Sequence, residues 1–124
     1  MILGTVNAAR EAFVQVQVRG PGGVERTVGA AIDTGFNDEL TLPRHLIAEL
    51  GLLYAAPAQA ALAGGQIVEM DYFRAAIVWD GRARETLILE VPGTPLVGMG
   101  LLEGHRVTLD VLPDGRVTIE RLPV

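Results

Sequence analysis

One stretch, residues 28–43 with the sequence V-G-A-A-I-D-T-G-F-N-D-E-L-T-L-P, constrains the fold of this chain more than any other. Its small and apolar residues from Val28 to Ile32 predict a buried strand that ends abruptly at Asp33-Thr34-Gly35. The apolar residues at 40–43 predict a second short strand directly afterwards. The Asp33 carboxylate is therefore expected at a tight turn between two buried strands. A charge is costly there unless hydrogen bonds or another group compensate it.

The Asp-Thr-Gly tripeptide by itself is weak evidence for a function. Asp and Gly are common turn residues, and chance alone places this tripeptide in roughly a few per cent of chains of this length. Gly35 permits backbone conformations, or a close backbone approach, that a residue with a Cβ would resist. A functional interpretation therefore depends on the segments that surround the tripeptide.

Two further segments follow the Asp-Thr-Gly turn along the chain. Residues 62–67, L-A-G-G-Q-I, form a glycine-centred hairpin candidate, and residues 95–102, P-L-V-G-M-G-L-L, form an apolar-apolar-Gly segment that leads into a short helix. Three segments, taken in their order along the chain, resemble parts of the retropepsin-like aspartic peptidases. They are the D-T-G strand with its L-T-L-P partner, the hairpin and the apolar segment. The corresponding parts of that family are the active-site loop, the flap and the segment that packs beneath the loop. The resemblance spans residues 28–102.

The resemblance implies a role for each residue of the loop. Asp33 would be the catalytic carboxylate, Thr34 would cross-link two such loops by hydrogen bonds, and Gly35 would offer its backbone close to the aspartate pair. Phe36 stands where Ala or Ser is commoner in the family, and would shape the subsite nearest the aspartate. The flap, which would close over a bound peptide, would be formed by Ala63, Gly64 and Gly65.

Peptide hydrolysis by carboxylates needs two of them sharing one proton. This chain contains a single D-T-G, and its other aspartates lack the context of an apolar strand followed by Thr/Ser-Gly; they are Asp38, Asp71, Asp80, Asp110 and Asp114. The second catalytic aspartate must then come from a second chain. The resemblance thus implies a C2 homodimer acting on a peptide or protein substrate, without a cofactor.

The pattern of the whole chain predicts an all-β, mostly antiparallel domain over residues 1–124, with eight to ten short strands and one or two short helices. Alternation over residues 13–19 is typical of a half-buried strand, and Pro43 and Gly51 predict the ends of a short helix. Residues 55–62 are expected to be extended, 66–69 to return from the hairpin, and 72–79 and 107–111 to be strands. By resemblance, the fold is a closed retropepsin-like β barrel or sandwich with one lobe per chain. No sequence repeat is evident, but the internal symmetry of that family is expected as a strand–turn–strand–helix order around Asp33 and again around Leu96.

Composition argues against several other classes of protein. The formal net charge of −5 and the lack of a Lys/Arg cluster argue against nucleic acid as a partner. No segment approaches the roughly 20 apolar residues of a membrane helix, and the N-terminus does not resemble a signal peptide, so a cytoplasmic location is expected. The chain contains no cysteine, and His45 and His105 lack the spacing of paired ligands, so no metal site is expected.

Two alternatives to a peptidase stay open at this point. The first is a catalytically silent module of the same fold that binds peptides or dimerises, because a fold does not dictate a function. The second is an unrelated all-β protein with a chance D-T-G, which the agreement of three elements in order makes the weaker alternative.

Overall fold

The computed structural model describes residues 1–61 and 64–124; the predictions that involve Leu62 and Ala63 lie outside the described residues. The described part of the chain is mostly β, with ten strands in one mixed sheet and two short helices. The strands are β1 (Ile2–Val6), β2 (Ala12–Arg19), β3 (Glu25–Ile32), β4 (Leu40–Leu42), β5 (Leu53–Ala61), β6 (Ile67–Trp79), β7 (Arg82–Glu90), β8 (Leu96–Val97), β9 (His105–Leu109) and β10 (Arg116–Arg121). The helices are α1 (Arg44–Leu50) and α2 (Met99–Leu102).

Local sequence explains the best-predicted elements. In β2 the side chains of Val14, Val16 and Val18 are buried, as their alternation with polar residues predicts. Helix α1 begins after Pro43 and ends at Gly51, whose φ of 64° is left-handed and whose N–H donates to the carbonyls of the last turn. Both predictions are confirmed.

Eight of the ten strand pairings are antiparallel, which confirms the predicted class. The two exceptions are the parallel pairs β3–β8 and β4–β7. Both join strands that are far apart in the sequence. Local alternation carries no information about such pairs, and the sequence did not predict them.

Six strands close into a ring in the order β2–β3–β8–β4–β7–β6, because β6 also pairs with β2 over Gln17–Arg19 and Ala76–Val78. The core lies inside this ring and beneath the helices, where Val16, Ile77 and Ile88 are fully buried. In the described part of the chain, no helix is long and apolar enough to cross a membrane.

The order of elements repeats: four strands and a helix (β1–β4, α1) are followed by four strands and a helix (β5–β8, α2). The pairings obey the same repeat, since β1–β2 corresponds to β5–β6, β2–β3 to β6–β7, and the parallel pair β3–β8 to β7–β4. The pairs β2–β6 and β4–β8 lie where the two halves meet. The expected strand–turn–strand–helix order around Asp33 and again around Leu96 is thus present in the described part of the chain.

Two predicted boundaries are wrong. Residues 67–69 and 72–79 belong to one 13-residue strand, β6, because its paired neighbour β5 continues to Ala61. Strand β9 runs from His105 to Leu109 rather than from Val107 to Val111, since a turn closed by the Gly115 N–H and the Leu112 carbonyl ends the hairpin earlier.

The upper part of the β5–β6 hairpin extends beyond the ring. Pairing between β6 and β7 starts at Tyr72 opposite Leu89. In the described residues, Ile67–Asp71 of β6 therefore pair only with Pro57–Ala61 of β5. We call this two-stranded ribbon the arm.

Candidate functional site

Asp33 follows the last residue of β3, where this strand runs parallel to β8. Its backbone N–H continues the ladder and donates to the Val97 carbonyl at 2.9 Å. Its side chain is half-buried, and Oδ1 accepts the Gly35 N–H at 2.9 Å. A Cβ at position 35 would lie 3.3 Å from this oxygen, a tight contact that glycine avoids. The strand end and the turn together hold the carboxylate in one orientation.

The loop that follows Asp33 is anchored by the segment around α2. The N–H groups of Gly98, Met99 and Gly100 donate to the carbonyls of Glu39, Phe36 and Asp38, at 2.9, 2.7 and 3.0 Å. These contacts need a close approach of the two backbones. A Cβ at Gly98 would lie only 2.2 Å from the Asp38 carbonyl oxygen, so the glycine of the apolar-apolar-Gly segment is a steric requirement of the loop.

Thr41, the middle residue of β4, supports the segment that leads into β8. Its side-chain oxygen accepts the Leu96 N–H at 2.9 Å, and the residue is only 2% exposed. This bond joins β4 to the start of β8. Sequence reasoning missed it, although a polar residue inside the apolar L-T-L-P strand was a usable signal.

The structure brings the loop residues of the predicted site together. Phe36 is half-buried, its N–H donates to the Asp33 carbonyl at 3.2 Å, and its ring lies against Gly98. Thr34 and Gly35 are exposed. A second molecule can therefore reach the loop from the side of Thr34.

Of the predicted flap residues, Gly64 and Gly65 do not lie against this loop. Gly64 and Gly65 are exposed at the end of the arm, and a Cβ at either would meet no atom within 4 Å. Gly65 has a φ of 79°, which suits the turn between β5 and β6. Ala63 lies outside the described residues.

A contact that the sequence did not predict joins the base of the arm to the loop. The Tyr72 hydroxyl of β6 donates to Oδ2 of Asp38 at 2.6 Å. This hydrogen bond, with a smaller contribution from partial burial and from the carboxylate charge, raises the pKa of Tyr72 to about 12. The neighbouring Glu39 carboxylate is paired with Arg84 of β7 at 2.6 Å. No local pattern signals these pairs, because their members lie 34 and 45 residues apart.

Among residues 1–61 and 64–124, no group of three or more His, Asp or Glu side chains is arranged to hold a metal ion. His45 is exposed on α1, whereas His105 is half-buried with its ring edge-to-face against Trp79, at a centroid distance of 6.1 Å. Trp79 itself is buried in the core. The ring nitrogens Trp79 Nε1 and His105 Nε2 are both buried without a hydrogen-bond partner among the described residues.

No protein-family model matches the chain, and neither the curated proteins nor the solved structures searched give a match. The geometry of the site is thus the basis for the function proposed below.

Proposed function

We propose that this chain is a retropepsin-like aspartic endopeptidase whose active site forms across a homodimer, with Asp33 of each chain supplying one carboxylate. The observation that carries the proposal is the fixed position of Asp33. The carboxylate stands at the end of a ring strand, with its backbone bonded to Val97 and its Oδ1 bonded to Gly35. A catalytic acid or base needs such orientation before the substrate arrives.

The topology supports the retropepsin-like assignment of the lobe. The six-stranded ring is built from two repeats of four strands and a helix, and Asp33 lies where the parallel pair β3–β8 ends. The α2 segment lies beneath the loop and binds three of its carbonyls. These are the relations that the resemblance implies for the family.

The internal repeat also supports the need for a second chain. Ile32 lies opposite Val97, Ile88 lies opposite Leu40, and Leu40 and Val97 pair with each other. Ile32 of β3 and Ile88 of β7 are therefore equivalent in the repeat. The residues that follow them, Asp33 and Leu89, occupy corresponding positions. Leu89 is apolar and 8% exposed, so the second half of the chain supplies no equivalent carboxylate.

In the dimer the two Asp33 carboxylates share one proton, because two like charges in contact cannot both ionise cheaply. The ionised carboxylate takes a proton from a water molecule, whose oxygen attacks the carbonyl carbon of the peptide. The protonated carboxylate donates its proton to the carbonyl oxygen. When the resulting diol breaks down, the protonated carboxylate gives its proton to the nitrogen and the other carboxylate takes a proton from a diol hydroxyl. The C–N bond breaks, the amine leaves, and the pair again holds one proton.

A non-catalytic peptide-binding or dimerisation module is the second candidate. The observation that favours it is the turn itself, since the hydrogen bond from the Gly35 N–H to Asp33 is a sufficient structural reason for Asp and Gly at these positions. The two candidates differ in whether the Asp33 carboxylate is needed for cleavage.

The test compares the parent chain with Asp33→Asn and with Asp110→Asn, the same chemical change at an exposed residue. Sedimentation equilibrium should give twice the 13.2 kDa chain mass for all three proteins. Asp33→Asn should dimerise as well as the parent or better, because it removes the repulsion between the two carboxylates. Digestion of a peptide library from acidic to neutral pH should show cleavage by the parent and by Asp110→Asn. We expect Asp33→Asn to be slower by at least about 100-fold.

Cleavage by the parent should also fall as pH rises enough to ionise both carboxylates of the pair. A strictly monomeric chain, or an Asp33→Asn variant that cleaves as well as the parent, would refute the proposal. Binding of peptides by both proteins without cleavage would support the module instead.

A further inference from the structure

We infer that Tyr72 is a positioning residue that, through its hydrogen bond to Asp38, sets the placement of the arm relative to the Asp33 loop. The placement itself is independent of any catalytic activity. Its consequence for peptide binding rests on the proposed function.

Tyr72 stands at the point where the arm leaves the ring. It is the first residue of β6 to pair with β7, and beyond it the arm strands pair only with each other in the described part of the chain. The register between β5 and β6 shifts between Tyr54 and Ala56, opposite Tyr72 and Phe73. Such irregularities bend a ribbon, so this level of the sheet is the hinge of the arm.

The acceptor of the hydrogen bond belongs to the anchored part of the loop. The Asp38 carbonyl binds the Gly100 N–H at 3.0 Å, while its carboxylate binds the Tyr72 hydroxyl at 2.6 Å. A bond to a charged acceptor is stronger than one between neutral groups. The hinge is thereby tied to the same backbone that orients Asp33.

A small change at the hinge is amplified at the end of the arm. The arm is five residues long on each strand, or about 17 Å at the usual rise of a β-strand. A rotation of about 10° at Tyr72 would move the tip by about 3 Å over this length. A ribbon of two strands has little stability of its own, so its placement depends on what holds its base.

If the chain is the proposed peptidase, the arm would close over a peptide bound at Asp33. Loss of the Tyr72–Asp38 bond leaves the chemistry of the aspartates intact but adds to the cost of ordering the arm over the substrate. The expected kinetic result is a higher KM with a smaller change in kcat.

The experiment compares Tyr72→Phe with Tyr54→Phe, which makes the same change on the same hairpin at a residue that is 56% exposed. Hydrogen exchange of the arm amides in Tyr72→Phe should be faster by about 2- to 10-fold, the effect of losing one hydrogen bond. Exchange in the ring strands β2 and β3 should be unchanged, which shows that the variant is folded. Asp38→Ala, which removes the acceptor, should accelerate exchange in the arm as well. The double variant should be no faster than the faster single one, because both remove the same bond.

Equal arm exchange in Tyr72→Phe and Tyr54→Phe would overturn the inference, and so would acceleration that spreads through the whole ring. The exchange result tests this inference separately from the proposed function. If Asp33 is not needed for cleavage but the arm responds, the positioning role stands alone. If the parent cleaves peptides and Tyr72→Phe changes neither arm exchange nor KM, only the positioning role fails.

Discussion

Replacement of Gly98 by alanine should destabilise the fold by forcing the Asp33 loop away from α2. A Cβ at this position would lie 2.2 Å from the Asp38 carbonyl oxygen and 2.7 Å from that of Phe36. Both neighbours are backbone atoms, so no side-chain rotation relieves the contact. The loop must move by roughly 1 Å to restore an ordinary van der Waals distance.

The cost has two parts. Overpacking of a buried site typically costs about 1–3 kcal/mol. The movement also weakens the hydrogen bonds from Gly98 to Glu39 and from Gly100 to Asp38, and the loss of one such bond costs about 1 kcal/mol. A total of about 2–4 kcal/mol corresponds to a drop in Tm of about 8–15 °C, given a typical unfolding entropy of about 2.1 cal/mol/K per residue.

The assay is thermal unfolding followed by circular dichroism, with Gly22→Ala as the matched control. A Cβ at Gly22 would meet no atom within 4 Å, and its φ is not in the left-handed region. Gly22→Ala should therefore unfold within a few degrees of the parent. All proteins are compared at one concentration, because dimerisation makes Tm depend on concentration. If Gly98→Ala were as stable as Gly22→Ala, the described contact between the α2 segment and the loop would be wrong.

Two further predictions follow from the polar contacts of the site. The Tyr72 pKa is raised from 10.0 to about 12. Between these two pH values the folded protein keeps the hydroxyl proton while the unfolded chain releases it. The contribution of Tyr72 to stability is therefore complete below about pH 10 and is lost as pH rises to about 12. Urea unfolding should accordingly show a stability difference between the parent and Tyr72→Phe that shrinks between about pH 10 and about pH 12, and a constant difference would contradict the hydrogen bond to Asp38. Thr41→Val keeps the shape of the side chain but leaves the part-buried Leu96 N–H without its acceptor, so chemical denaturation should show a loss of about 1–3 kcal/mol. The exposed residue Thr5 provides the control, and Thr5→Val should change stability little.

The sequence predicted much of the local structure. The alternation in β2, the helix between Pro43 and Gly51, and the extended state of the alanine-rich β5 all agree with the structure. Each depends on residues within a few positions of one another, where side-chain periodicity or a fixed backbone angle determines the conformation. The position of Asp33 at the end of an apolar strand was likewise predicted from residues within a few positions of it.

The length of β6 could not be predicted in this way. Its upper half has a mixed composition, and it is a strand because β5 pairs with it as far as Ile67. Pairing partners supply the backbone hydrogen bonds that a weakly patterned segment cannot provide for itself. The same reason explains the misplaced boundary of β9.

The sequence by itself therefore determined the strand-rich class, the turn at Asp33 and the presence of a single Asp-Thr-Gly in the chain. Only the tertiary structure decided the parallel pairs β3–β8 and β4–β7 and the bond between Tyr72 and Asp38. These features join residues that are distant in the sequence. They depend on how the ring closes around its core, whereas sequence patterns report the environment of each residue and not the identity of its partner.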